Sequence, residues 1–188
     1  WSANAIYKET EAEREAGRFW SEYMKGAGYR TYMTGKWHVR ANAAKAFDVT
    51  AHVRGGMPKQ TPQGYGRPVE GKDDPWKPWE ESFGGYWEGG THWSEVVANN
   101  ALDFLEDAAG QKKPFFMYLA FNAPHDPRQS PKRFVDRYPL DSIMVPKNYL
   151  PLYPYKDSIA LGTGQRDEKL APFPRTEYSV KVNRQEYY

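Results

Sequence analysis

The sequence contains no cysteine. Disulfides, thiolate metal sites and a cysteine nucleophile are therefore excluded from these residues. Long apolar runs are missing too, because the longest clear one, "FFMYLAF", is far too short to cross a bilayer. The opening stretch "WSANAIYKETEAERE" does not show the charged and then apolar order of a secretory signal. No Asn-x-Ser/Thr acceptor occurs. There is also no excess of charge of one sign: 26 Lys and Arg stand against 24 Asp and Glu, for a formal net charge of +2. That balance argues against nucleic acid or a membrane surface as a partner.

What is present supports a folded domain. A chain of 188 residues can bury a sizeable core, and its 16% aromatic content is far from the composition of disordered segments. Residues from Thr10 to Ala27 read as one helix, with Phe19, Trp20, Tyr23, Met24 and Ala27 at helical spacing and Gly28 as its stop. Tyr29 to Lys36 then reads as a strand. From Ser94 to Ala109 the pattern predicts a helix burying Val97, Ala101, Leu102, Leu105 and Ala108. The run "PFFMYLAFN", Pro114 to Asn122, predicts a fully buried strand. Helix, short loop and buried strand make half of a βαβ unit, which sets the class as α/β with parallel strands.

The rest is less regular. Residues 40–91 carry many breakers and little periodicity, with Trp76, Trp79, Phe83, Tyr86 and Trp87 in the second half. Those rings suit either a surface that stacks on a sugar or a set of anchors pinning a long loop, and the anchors are the simpler reading. A short helix is expected from Pro131 to Tyr138, and beyond it the prolines at 146, 151, 154, 172 and 174 predict extended surface chain.

Parallel α/β sheets bind ligands outside the carboxyl ends of their strands. The first strand ends in "GKWH", delivering Lys36 and His38. The second runs into "NAPHDPR", delivering His125, Asp126 and Arg128. Two imidazoles, an ammonium and a guanidinium at one edge would suit a tetrahedral oxyanion: cations neutralise it and an imidazole can protonate a leaving oxygen. Taken singly, a Lys is more often a solvated charge than a ligand, and a His more often a surface or capped residue than a catalyst. His52 and His92, in the irregular stretch, carry less weight still.

At these two segments the sequence resembles the sulfatase family, within the alkaline-phosphatase-like superfamily. "AGYRTYMTGKWH" is similar to that family's Gly-Tyr-x-Thr and Gly-Lys-Trp-His signature, and "PFFMYLAFNAPHDPRQSPKRFVDRYP" resembles its strand and Ala-Pro-His-x-Pro loop. The tail "LAPFPRTEYSVKVNRQEYY" resembles the approach to the family's next long helix. The resemblance implies a mixed, mostly parallel sheet flanked by helices, and hydrolysis of an organic sulfate ester to alcohol and sulfate. By the same resemblance Lys36 would contact the sulfate and the nucleophile's oxygen, His38 would assist the nucleophile, and His125 would bind sulfate and protonate the leaving alkoxide. Asp126 and Arg128, just past the motif, would read the organic part of a small-molecule or glycan ester. The family also implies a calcium ion, a formylglycine nucleophile, and a periplasmic or secreted location.

Several family features are absent. No Cys/Ser-x-Pro-x-Arg nucleophile segment occurs, and "SPKR" at Ser130 to Arg133 has the wrong spacing. Asp73 and Asp74 are adjacent but follow no strand, so they read as a solvated acidic pair or a loop anchor, and no metal ligand is assigned within the chain. Everything missing belongs before Trp1 or after Tyr188. The expectation is therefore an internal part of one sulfatase catalytic domain spanning 1–188, with calcium ligands and formylglycine outside it and no turnover by this piece alone. Two alternatives stay open: a phosphoesterase of the same superfamily, and a non-catalytic glycan-binding fragment.

Overall fold

The computed structural model describes residues 3–59, 61–155 and 169–188. It divides into two compact units, Trp1–Met57 with Trp93–Asn122, and Pro58–His92 with Ala123–Tyr188.

The first unit is built on three parallel strands: β1 (Arg30–Lys36), β2 (Val49–Arg54) and β3 (Phe115–Ala120), in the order β2-β1-β3. β1 is the buried centre, as its threonines, tyrosine and methionine suit a pleat packed on both faces. Alternation sends Tyr32 to one face and Met33 to the other. Tyr32 meets Phe104 of helix α4 (Trp93–Ala109), ring centroids 5.1 Å apart, with Ala108, Val49, Ala51 and Met117 around them. Met33 packs with Ala43 and Ala46 of the short helix α3 (Ala43–Ala46) and with Phe47, Phe19, Trp37 and Phe116. The α/β class with a parallel sheet between helices therefore holds.

Four local expectations need correction. The single helix from Thr10 to Ala27 is two, α1 (Ala3–Glu15) and α2 (Trp20–Gly26). Gly17 adopts φ +72°, a left-handed turn that ends α1, and the Phe19 amide donates to the Glu22 carboxylate at 3.1 Å to start α2. Phe19 then enters the core, whereas Trp20 is 79% exposed and Tyr23 is exposed as well. Residues 40–91 are not wholly irregular, since α3 and β2 form there. α4 buries Val97, Asn100, Ala101, Phe104 and Ala108, while Leu102 and Leu105 face out, because the buried stripe is narrower than the apolar set. Finally, β3 is a half-exposed edge strand and not a fully buried one, with Phe115, Tyr118 and Leu119 exposed.

The second unit contains no strand among its described residues. It holds single 3₁₀ turns, a four-residue helix α5 (Lys132–Val135) in place of the longer one expected, and helix α6 (Glu177–Tyr187). Extended chain was expected through the late prolines, and the part of it at 156–168 lies outside the described residues. Rings pin the long loop. Trp76, Tyr86 and Trp87 are buried, Trp76 stacks on Phe83 at 5.1 Å, and the Trp87 indole donates to the Pro78 carbonyl at 3.0 Å. His92, against Tyr86 and Trp87, holds the Gln129 carbonyl through Nε2 at 3.0 Å. Trp76, Tyr86 and Trp87 sunk in this way are anchors, while Trp79 and Phe83 are only partly buried. Arg67 completes the frame, pairing with both carboxylate oxygens of Glu186 at 2.5 and 2.7 Å and with Asp74 at 2.6 Å.

Candidate functional site

The carboxyl edge of the sheet is set by Gly35. It adopts φ +92°, and a Cβ there would lie 2.0 Å from the Ala120 carbonyl oxygen. Only glycine lets β1 and β3 run this close. Opposite it β2 carries one extra residue: Thr34 aligns with Ala51 and Gly35 with Val53, leaving His52 as the bulge with φ +46°. Asn100 bridges the level below, its amide donating to Thr34 Oγ1 at 2.9 Å and lying 3.0 Å from His52 Nδ1. At the end of β3, Asn122 donates to the Gly56 carbonyl at 2.8 Å, tying that run-out to the chain after β2.

Lys36 and His38 leave this edge together. Between them Trp37 is fixed three ways: its amide donates to the Arg54 carbonyl at 2.7 Å, its indole to the Ala41 carbonyl at 2.7 Å, and its ring packs edge-on against Phe47. Trp37 and His38 lie just past the end of β1, and the anchored Trp37 fixes the chain between Lys36 and His38. Lys36 is half-buried and His38 exposed. Neither side chain has an ion pair or hydrogen bond among the described residues, so the ammonium is not already neutralised by a carboxylate there. Such a cation on a rigid edge can take an anion.

His125, Asp126 and Arg128 belong to the second unit. The imidazole of His125 is 42% exposed, while the Asp126 side chain beside it is only 6% exposed. Nδ1 of His125 lies 2.7 Å from Asp126 Oδ1, and the Tyr65 hydroxyl donates to Asp126 Oδ2 at 2.8 Å. The Tyr86 hydroxyl donates to the His125 carbonyl at 3.0 Å, fixing the backbone. Arg128 donates to the carbonyl and the side-chain oxygen of Asn183 on α6. Tyr65 and Tyr86 were not singled out for the site from the sequence. They sit in the aperiodic stretch, where nothing but "GYG" around Tyr65 hints at a constrained turn.

No group of three or more His, Asp or Glu that could hold a metal ion occurs among the described residues. Asp74, one of the adjacent pair, accepts from the Arg67 guanidinium and from the Trp76 amide at 3.2 Å, which makes it a loop anchor. These residues do not fit a calcium site.

Comparison with known proteins agrees with the residues. The Sulfatase family model matches residues 20–171. An arylsulfatase of Klebsiella aerogenes is 29% identical over 160 residues, covering 73% of this chain and 31% of that protein. An uncharacterized sulfatase, YidJ, of Escherichia coli strain K12 is 33% identical over 46 residues, covering 24% of this chain and 9% of that protein. Among solved structures, Ps i-CgsB in complex with k-i-k-neocarrahexaose is similar at 19% identity and a TM-score of 0.42, over 89% of this chain and 34% of that one. The chain thus spans about a third of the length of the arylsulfatase and of the solved structure it matches.

Proposed function

Because this chain belongs to the sulfatase family, we propose that it supplies part of the active site of a sulfuric ester hydrolase, which cleaves an organic sulfate ester to an alcohol and sulfate. Lys36 offsets the negative charge on the sulfuryl oxygens and on the attacking oxygen. His38 serves the nucleophile, which this chain does not itself contain. His125 binds the sulfate and protonates the leaving alkoxide, a step that a poorly stabilised alkoxide needs. Calcium and formylglycine belong to this reading only as groups held by other parts of the complete enzyme.

One observation carries the reading. β1 and β3 are adjacent and parallel, in register from Arg30 opposite Phe115 to Gly35 opposite Ala120. The strand that delivers Lys36 and His38 and the strand that ends in the run-out at Asn122 therefore finish at the same edge of one sheet, the place where α/β sheets put their chemistry. The test is sulfate release from an aryl sulfate, the ester class named by the Klebsiella relative, by the complete protein that carries this chain. Changing His125 or Lys36 to Ala should lower kcat by about 10²–10⁴-fold. Turnover unchanged in both variants would refute the assignment. The 188-residue chain alone should release none.

A further inference from the structure

We propose that Asp126 is a positioning residue: held by Tyr65, it fixes the tautomer and the orientation of the His125 imidazole. The inference rests on the reading of His125 as the group that protonates the leaving oxygen.

The geometry excludes the simpler role of a residue that reads the organic part of an ester. Such a residue must show its carboxylate to the ligand, and the Asp126 side chain is 6% exposed. Both of its oxygens are also occupied, Oδ1 at 2.7 Å from His125 Nδ1 and Oδ2 at 2.8 Å from the Tyr65 hydroxyl. A carboxylate presented to a sulfate anion would repel it. Behind the imidazole, the same charge is shielded from the anion and paired with the ring.

The chemistry of the pairing is directional. The Asp126 carboxylate at 2.7 Å and the Asp126 main-chain carbonyl at 3.2 Å both only accept hydrogen bonds, so Nδ1 is the donor. The neutral ring then carries its proton on Nδ1; to act as the acid the ring takes up a second proton at Nε2, gives that proton to the leaving oxygen and returns to the neutral form. Tyr65 donates to the far oxygen and keeps the carboxylate from rotating. The Tyr86 hydroxyl on the His125 carbonyl keeps the backbone from turning the ring away. A base or acid aligned by a third group is the general form of such sites, and that group acts without touching the substrate.

The readout is the ring ¹⁵N shifts of His125 in the complete protein labelled with ¹⁵N-histidine, assigned by their loss in His125→Gln. In the neutral ring, Nδ1 should show the shift of a protonated nitrogen and Nε2 that of a bare one. In Asp126→Asn, whose amide can donate to Nδ1, the pattern should mix or invert; an unchanged pattern would assign the tautomer to the Asp126 main-chain carbonyl and overturn the proposal. The kcat for an aryl sulfate should then drop about 10²-fold, within the contribution of a positioned acid, with KM nearly constant. A wild-type His125 protonated at Nε2 overturns the proposal even if the variant fails to fold. So does a variant in which KM rises while kcat holds, since that would return Asp126 to reading the ester. The nitrogen shifts need no turnover. Failure of the assignment of His125 as the acid, seen as full activity in His125→Ala, is therefore told apart from failure of this one.

Discussion

A methyl group at residue 35 would lie 2.0 Å from the Ala120 carbonyl oxygen and 3.1 Å from a Val97 methyl, on a backbone already at φ +92°. Neither neighbour can yield cheaply, because one is main chain of the paired strand and the other is a buried side chain of α4. Gly35→Ala should therefore cost about 2–4 kcal/mol, combining a disfavoured φ with a forced separation of β1 and β3. Gly17→Ala is the control: its φ is +72° but a Cβ there meets nothing within 4 Å, so only the backbone term of about 1 kcal/mol applies. Urea unfolding of the two variants decides the matter. Equal losses would mean that close approach of the strands is not what Gly35 provides. The residue next to it is Lys36, so under the role proposed for Lys36 the same substitution should also lower kcat for an aryl sulfate in the complete protein.

At the level of elements, the sequence was legible where a pattern is long and local. β1 was read to within a residue, and α4 likewise, since seventeen residues of helical spacing leave few alternatives. The failures have a common cause, which is that burial is decided by neighbours far away in the chain. "FFMYLAF" looks like a buried strand, but its place at the edge of the sheet leaves one side of it open. β2 was invisible because six residues, "VTAHVR", with a bulge at His52, hold no clean alternation. The Lys36 and His38 pair was legible from two positions of one short motif, whereas Tyr65 reaches Asp126 across 61 positions and left no trace. α4 turns this into a measurement. Phe104 is buried against Tyr32, so Phe104→Ala should cost about 3–5 kcal/mol, while Leu105→Ala, on the outward face, should stay within about 0.5 kcal/mol in this chain. A large loss at Leu105 would show that the helix is rotated from the face described.

For the whole molecule, with its formal charge of +2, what acid does to the fold depends on which carboxylates the fold holds charged. Burial pushes the Asp48 carboxyl up, but the Thr31 amide and hydroxyl, at 2.9 and 3.0 Å, and the Lys25 ammonium at 3.5 Å outweigh it and leave the group below its ordinary value. Asp107 is lowered as well, first by the Tyr32 hydroxyl at 2.6 Å and then by Arg30 at 2.8 Å. Glu186 goes the other way, pushed up by burial against the pull of Arg67. A carboxyl with a depressed folded value stabilises the protein above its unfolded value, about 3.9 for Asp, and that stabilisation disappears as pH falls through the folded value. A raised one such as Glu186 contributes the opposite sign, losing stability as pH climbs above about 4.3. Replacing one depressed group therefore isolates its share. Asp48→Asn should have a lower urea midpoint than wild type at pH 7, and the gap should narrow as pH falls below about 4. Because Asp48 also receives the first hydrogen bonds of β1, a gap that stays constant with pH would mean that shape and not charge is what the residue contributes.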